Sequence, residues 1–421
     1  MKIVEMPADN ERFCESGGVR PQKWEYKFGS VSPARTFVDP PPSQSRHPEG
    51  RIALTSTLHH RFNSRNFLMA SAGADFFKTR LDDIFTYEDG TSRNVHDTDG
   101  NSALVKGFAQ WQHRFSDRFS ITPGVYVHLF TFNGDVSVEP RLGLRWTLNE
   151  RSSVGFGTGL HSQLQPRLVN FFIDKNGNYP NEKLRMSRSW QTVAGYDLKI
   201  AEGMRIKTEL YYQHLYNVPV IPDIPQESIL NFGDDFYNDW DYSFVNEGTG
   251  RNYGVEVTVE KFFEKNWYFL LTGSLYDARY KGYDGVERHN KYAGNFSVNL
   301  IAGYEWKLTK DRLLSVNAKT VCMGAKRYIP VSSAGLFADP VYDYSQTYTQ
   351  RLPVYFRCDL NVNMKRNYKR VAVEWFFEAL NLTSRKNIMF YQYNTSRGEY
   401  EYYYHNGFMP IGGCRVFFGK K

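Results

Sequence analysis

From Arg51 onward, segment after segment of this chain alternates apolar with polar residues at a period of two. In 253–260, Tyr253, Val255, Val257 and Val259 fall on one side, and Gly254, Glu256, Thr258 and Glu260 on the other. In 295–306, Phe296, Val298, Leu300, Ala302, Tyr304 and Trp306 oppose Asn295, Ser297, Asn299 and Glu305. The same holds for Phe356, Cys358, Leu360, Val362 and Met364 against Arg357, Asp359, Asn361, Asn363 and Lys365. Successive side chains of an extended strand point to opposite faces, so this period specifies strands with one apolar and one polar face. A helix would scatter Glu256 and Glu260 among the valines.

The connections alternate in length. Short turns are expected near 63–65, 116–118, 149–152, 201–203, 264–266, 309–312 and 365–370. Long ones are expected near 83–102, 165–183, 220–249, 282–290, 329–350 and 394–407. About fifteen strands fit between them, including 312–328 and 370–392. Apolar faces ending in Trp or Tyr (Tyr253, Trp267, Tyr304, Trp306), polar opposite faces, and hairpins short on one rim and long on the other describe an all-β fold, an antiparallel transmembrane β-barrel. A closed barrel lets every backbone group in lipid find a partner. A soluble all-β carbohydrate-binding protein or enzyme using acidic aromatic loops is the alternative, because alternation alone also suits a sandwich.

Composition removes other classes. No run approaches the ~18 apolar residues of a spanning helix. Aromatics at 16% and charged residues at 23% argue against disorder. A net charge of +7 without a basic cluster or motif gives no reason to expect nucleic acid. Cys14, Cys322, Cys358 and Cys414 are far apart and suggest neither a metal site nor a disulfide framework. The first residues, MKIVEMPADNERFCESG, lack the apolar core of a secretory signal, which is at odds with an exported barrel.

Several stretches together resemble the C-terminal barrel of TonB-dependent outer-membrane receptors, in the version common in Bacteroidota. They are HHRFNSRN (59–66), VSVEPRLGLRW (136–146), ELYYQHLYNVPV (209–220), NEGTGRNYGVEVTVEKFF (246–263), YFLLTGSLYDARYKGYDGVERHNKYAGN (268–295), AKRYIP (325–330), LPVYFRCDLNV (352–362) and FMPIGGCRVFF (408–418). The resemblance implies a 22-stranded barrel in the outer membrane of a Gram-negative bacterium, importing a scarce ligand such as an iron chelate, cobalamin or a glycan. It implies a plug domain in the lumen, TonB acting through that plug, and in some relatives a surface lipoprotein partner. It implies neither covalent chemistry nor a cofactor. Fifteen strands of an expected 22, with no plug or TonB-binding segment in view, make an incomplete barrel. Residues 51–421 then form the C-terminal portion of the barrel, and 1–50 the polar remnant of an extracellular loop. With an odd count the first and last strands run the same way, so an all-antiparallel barrel cannot close on these strands alone.

The ligand-binding candidates lie in the acidic, aromatic loop 231–241: Asp234, Asp235, Trp240 and Asp241. Aromatic rings stack on sugars, and carboxylates hold hydroxyls or cations. A solvated loop is the bland reading. Two stretches, 97–101 and 174–178, resemble part of a calcium loop, but the expected glutamate at position twelve is Phe108 in one and Arg185 in the other. Turn chemistry accounts for them equally well. Glu256, Glu260, Glu374 and Glu378 are read as charges lining a lumen rather than as a catalytic pair. The histidines show no metal-ligand spacing, and there is no GxSxG elbow.

Overall fold

The computed structural model describes residues 44–46, 49–86, 91–232, 242–333, 341–394 and 397–419. Fifteen long strands follow one another as an antiparallel meander. The first five are β1 (Glu49–Arg61), β2 (Asn66–Thr86), β3 (Ser92–Arg114), β4 (Phe119–Phe130) and β5 (Asp135–Thr147). Next come β6 (Ser152–Gln163), β7 (Ser187–Ala201), β8 (Met204–Val220), β9 (Val245–Glu264) and β10 (Trp267–Lys281). The last are β11 (Phe296–Lys307), β12 (Arg312–Met323), β13 (Tyr355–Asn367), β14 (Val371–Leu380) and β15 (Met409–Phe418). Two short strands, Gln44–Arg46 beside β2 and Glu287–His289 beside β10, bring the sheet to seventeen. Among the described residues no ladder joins β1 to β15. Both run toward the short-turn rim, and the sheet is an open, incomplete barrel.

Register carries the two-faced pattern from strand to strand. Directly opposed residues share a face, and one row reads Ile206, Val259, Leu271, Leu300, Thr320 and Cys358 across β8 to β13. On the other half a row reads Leu58, Ala70, Ala109, Val125 and Pro140 across β1 to β5. This face is outward and open: Leu54 is 63% exposed, Val138 55% and Leu275 63%. A contiguous apolar face of this extent does not suit water. A slip of one residue in any ladder would turn it inward, so the pattern and the hairpin turns fix the register together.

Toward the short-turn rim the outer face becomes aromatic. Trp267 stands opposite Tyr304, whose ring lies 4.4 Å from that of Trp306, and Phe119 stands opposite Trp146. Tyr268 turns inward and covers Gly303 so closely that a Cβ there would collide with its ring. Phe376 covers Gly413 in the same way. A ring from the next strand laid over a glycine fills the missing side chain and pins the local register.

Two expected connections and two expected strand ends came out differently. Residues 83–102 are not all loop: β2 runs on to Thr86 and β3 begins at Ser92, with Thr98 opposite Leu81 and Asp97 opposite Asp82. Asp97–Asn101 is therefore paired strand, which removes it as a calcium loop. Residues 394–407 contain half of a hairpin, Ile388–Asn394 against Glu399–Tyr404. The strands expected over 312–328 and 370–392 end at Met323 and Leu380. Beyond the apolar belt both faces of a strand can be wet, so alternation no longer marks where strands stop.

Candidate functional site

Two surfaces can meet a ligand: the inner wall and the loop layer on the long-connection rim. On the inner wall, charge is neutralised in short-range pairs. Asp75 accepts from Arg51 Nη2 and Lys106 Nζ, each at 2.9 Å. Glu139, fully buried, accepts from Arg141 Nη2 at 2.6 Å and from the Ser162 hydroxyl at 2.5 Å. Arg205 pairs with Glu260, and Lys207 with Glu209 at 2.6 Å. Further along, Tyr268 donates to Asn317 at 2.9 Å, Asn317 to Asn361 at 3.2 Å and Asn361 to Glu378 at 3.0 Å. Arg415 reaches Glu374 at 3.1 Å. Three of the four inward carboxylates singled out in the sequence thus have a cation or an amide as neighbour. Glu256 stands opposite Glu209. The wall is a polar ladder of the kind that lines a lumen.

The loop layer has small cores of its own. Val169, Leu184, Ile221 and Phe244 are enclosed together, with Phe232 and Tyr242 packed beside them. Asn181 is fully buried at the centre. Its amide donates to Val169 O at 2.9 Å and Tyr242 O at 2.7 Å, and its oxygen accepts from Phe244 N at 2.7 Å. One side chain thereby ties the connection after β6 to the one after β8. The sequence-level candidates Asp234, Asp235, Trp240 and Asp241 lie outside the described residues. On either side of that stretch, the Phe232 and Tyr242 rings lie nearly parallel, 6.2 Å apart, packed against the enclosed cluster around Val169.

A second buried cluster went unseen in the sequence. Glu227 accepts from the Tyr348 hydroxyl at 2.9 and 3.1 Å and from Asn231 Nδ2 at 3.3 Å. Asn231 Oδ1 accepts from Asn290 Nδ2 and from Lys291 N, and the Tyr280 hydroxyl donates to Gln226 O. Three long connections meet at this carboxyl. Burial pushes its pKa above the usual carboxylate range, and burial likewise raises the Tyr348 phenol. Nearby, Tyr400 of the 388–404 hairpin accepts from Val331 N, and the Tyr328, Tyr391 and Tyr393 rings surround it at 5.2 to 5.8 Å. No periodic pattern marks Glu227, Asn181 or Tyr348. The one local clue is Ser228, whose hydroxyl caps the turn Ile229–Asn231.

Asp174 forms an Asx-type turn, accepting from the backbone N–H of Asn176 and Asn178, each at 2.8 Å. These backbone bonds, Asn178 foremost, lower its pKa. Among the described residues no group of three or more His, Cys, Asp or Glu side chains could hold a metal ion.

The family model described as TonB dependent receptor-like, beta-barrel, matches residues 19–382. No match was found among curated protein sequences. Among solved structures, the fold is similar to that of the ferric-catecholate import receptor Fiu from E. coli K12, at 14% identity and a TM-score of 0.57, covering 89% of this chain and 55% of that one. It is similar to the ferric yersiniabactin uptake receptor FyuA from Yersinia pestis, at 12% identity and a TM-score of 0.59, covering 90% and 55%. The outer membrane transporter YddB from Escherichia coli gives 10% identity and a TM-score of 0.59, covering 89% and 55%. The chain spans about half the length of these structures.

Proposed function

Because the chain belongs to the TonB-dependent receptor-like β-barrel family, we propose that it forms part of the wall of an outer-membrane receptor that takes up a scarce ligand. The observation that carries this reading is the continuous apolar outer face, in register across β1 to β15, set against an inner face of paired charges and amides. The exposed apolar face weighs against the soluble alternative, which has no use for it. The ligand class is an iron chelate, cobalamin or glycan. The uptake receptors that share the fold, Fiu and FyuA, make the iron chelate the first to test. In this reading residues 51–421 are barrel and 1–50 belong to an extracellular connection. The open sheet is a portion of a larger barrel, a plug-type domain occupies the lumen, TonB pulls on that domain, and a surface lipoprotein is a further candidate partner. No chemical step is assigned to the wall.

Fractionation of Gram-negative cells making the protein tests the reading. The chain should stay with the outer membrane through a carbonate wash and come off in detergent. Recovery as a soluble monomer without detergent would refute it. A panel of ferric chelates, cobalamin and glycans added to the extracted protein then sorts the ligand class.

A further inference from the structure

The connection after β6, residues 164–186, does not stand clear of the wall. It lies along the inner face of β2 and β3 where these two strands project past their neighbour. Asp75 is level with Phe130, the last residue of β4, and β2 runs on from there past Asp83. Thr79 and Leu81 face inward on the projecting part and are each 1% exposed, as residues on an uncovered sheet face cannot be. Ile173 N donates to Val95 O at 2.9 Å, and Arg93 Nη2 to Ile173 O at 2.7 Å. The Tyr179 hydroxyl donates to Asp97 O at 3.3 Å, and the Arg167 guanidinium lies 4.6 Å from the centre of the Phe77 ring. Last, His96 Nε2 lies 2.8 Å from Leu168 O, on the single helical turn Arg167–Asn170.

His96 differs from the other contacts because it can change its charge. It is buried, and its Nδ1 lies 2.9 Å from Asp83 Oδ2. A carbonyl oxygen only accepts, so Nε2 carries a proton. A neutral imidazole has one N–H, so Nδ1 would then turn a lone pair toward a carboxylate oxygen. That contact is repulsive unless a proton lies between the two. The docked arrangement therefore requires the His96–Asp83 pair to hold one proton more than a neutral imidazole beside a carboxylate. The other charged groups nearby are differently engaged. Arg93 lies on Ile173 O and over the Phe172 ring, and Arg167 lies over Phe77. Asp82 and Asp97 oppose each other on the far face of the hairpin. Asp174 feels the Arg93 charge, and its backbone bond from Asn178 keeps its pKa low. Of these groups only the His96–Asp83 pair changes charge in the range where an imidazole titrates.

We infer that residues 164–186 are a strap latched by a proton, held across β2 and β3 while the His96–Asp83 pair keeps that proton and released when it leaves. The docked state binds one proton more than the released state, so the latch is complete in acid and weakens as pH rises. The Asn181 side chain binds the strap to the connection after β8, through Tyr242 O and Phe244 N, so the two part from β3 as one body. The hinge is the root of the strap, where Asn133 Nδ2 donates to Leu184 O and Met186 N to Asp135. The latch stands on this geometry alone. Its use as a gate over the inner wall rests on the uptake reading above.

The test is a distance measured across the latch. The full chain, extracted in detergent with its native cysteines replaced by serine, carries spin labels at Lys175 on the strap and Asn94 on β3, both exposed. Pulsed dipolar spectroscopy should give one short separation at about pH 5.5, below the ordinary imidazole range. A longer one should grow in as pH rises, its ratio to the short one increasing by up to about tenfold per pH unit, the slope of a one-proton equilibrium. His96→Gln can still donate to Leu168 O but takes up no proton, so its distances should not change with pH. Asp83→Asn can donate to Nδ1 and needs no added proton, so it should keep the short separation throughout. A single separation at every pH in the unaltered chain overturns the latch. So does a pH response that persists in His96→Gln, or one in Asp83→Asn equal to that of the unaltered chain. A chain that responds as expected yet stays out of membranes supports the latch and contradicts the uptake reading.

Discussion

In the strand wall, Val257 and Leu271 remain more than a third exposed, while in the loop layer Val169 and Ile221 are shut away from solvent altogether. The polar groups differ in the same direction. Wall charges such as Arg205 and Lys207 pair across an accessible inner face, but Asn181 and Glu227 are buried among the loops with their hydrogen bonds made internally. The wall is built to be finished by its surroundings, lipid outside and water within, and its own contribution is the ladder of backbone bonds. The loop layer must hold itself together as a small soluble domain does, by a few enclosed side chains and fully satisfied polar groups. The two regions should therefore fail in different ways when altered.

The largest expected effect tests the wall. Val257→Asp places a charge on the lipid-facing row and should cost on the order of 2 kcal/mol, cutting the fraction of chain that assembles in membranes. Thr258→Asp, one residue on and facing inward opposite Lys207, should assemble normally. Heat-modifiable gel mobility reads both, and equal behaviour would remove the distinction between the faces.

Next in size is Asn181→Ala, which strands two carbonyls and an N–H in the loop core. A loss of about 2 kcal/mol is expected, confined to the loops. Proteolysis and hydrogen exchange should open 166–186 and 242–244 while the strands keep their protection. Loosened strands would show that the wall depends on the loop layer after all.

Gly303→Ala is expected to cost about 1 kcal/mol by overpacking, because its Cβ would collide with the Tyr268 ring and with Asn317. A thermal melt in detergent reads this, and Tyr268→Ala in the same chain should relieve part of it, Asn317 remaining in contact.

Glu227→Gln sharpens the loop side by pH. Burial raises the folded carboxyl's pKa, so the neutral form is favoured. Its stabilisation is complete below the ordinary carboxylate value of about 4.3 and is lost as pH rises through the raised value. The loop layer should therefore grow more labile to protease from mildly acidic to neutral pH. The amide variant, which keeps an acceptor for Tyr348, should flatten that trend, and an unchanged pH profile would contradict the role given to this group.

The wall was legible in the sequence because its signal is periodic and repeated. Tyr253 to Glu260 declares its two faces without reference to anything distant, and fifteen such segments gave the strand number. The strand ends were less legible. Above the lipid belt the selection for one apolar face disappears, which is why β2 and β3 run on through residues expected as a loop, and why the second arm of the Ile388–Tyr404 hairpin falls in an expected connection. The loop cores were hidden for another reason. Glu227 meets Tyr348 across 121 residues of chain, and Asn181 meets Phe244 across 63. Nothing local distinguishes such an Asn or Glu from any other polar loop residue. The candidates Asp234, Asp235, Trp240 and Asp241 were chosen by composition alone and remain proposals.

The most direct test of the two-faced wall is spin-label accessibility along residues 252–260, one cysteine at a time, in membranes. Labels at Tyr253, Val255, Val257 and Val259 should be relaxed by oxygen dissolved in the bilayer. Those at Asn252, Gly254, Glu256, Thr258 and Glu260 should respond to an aqueous nickel chelate, in strict alternation. Uniform access to the aqueous reagent at all nine positions would contradict a lipid-facing wall.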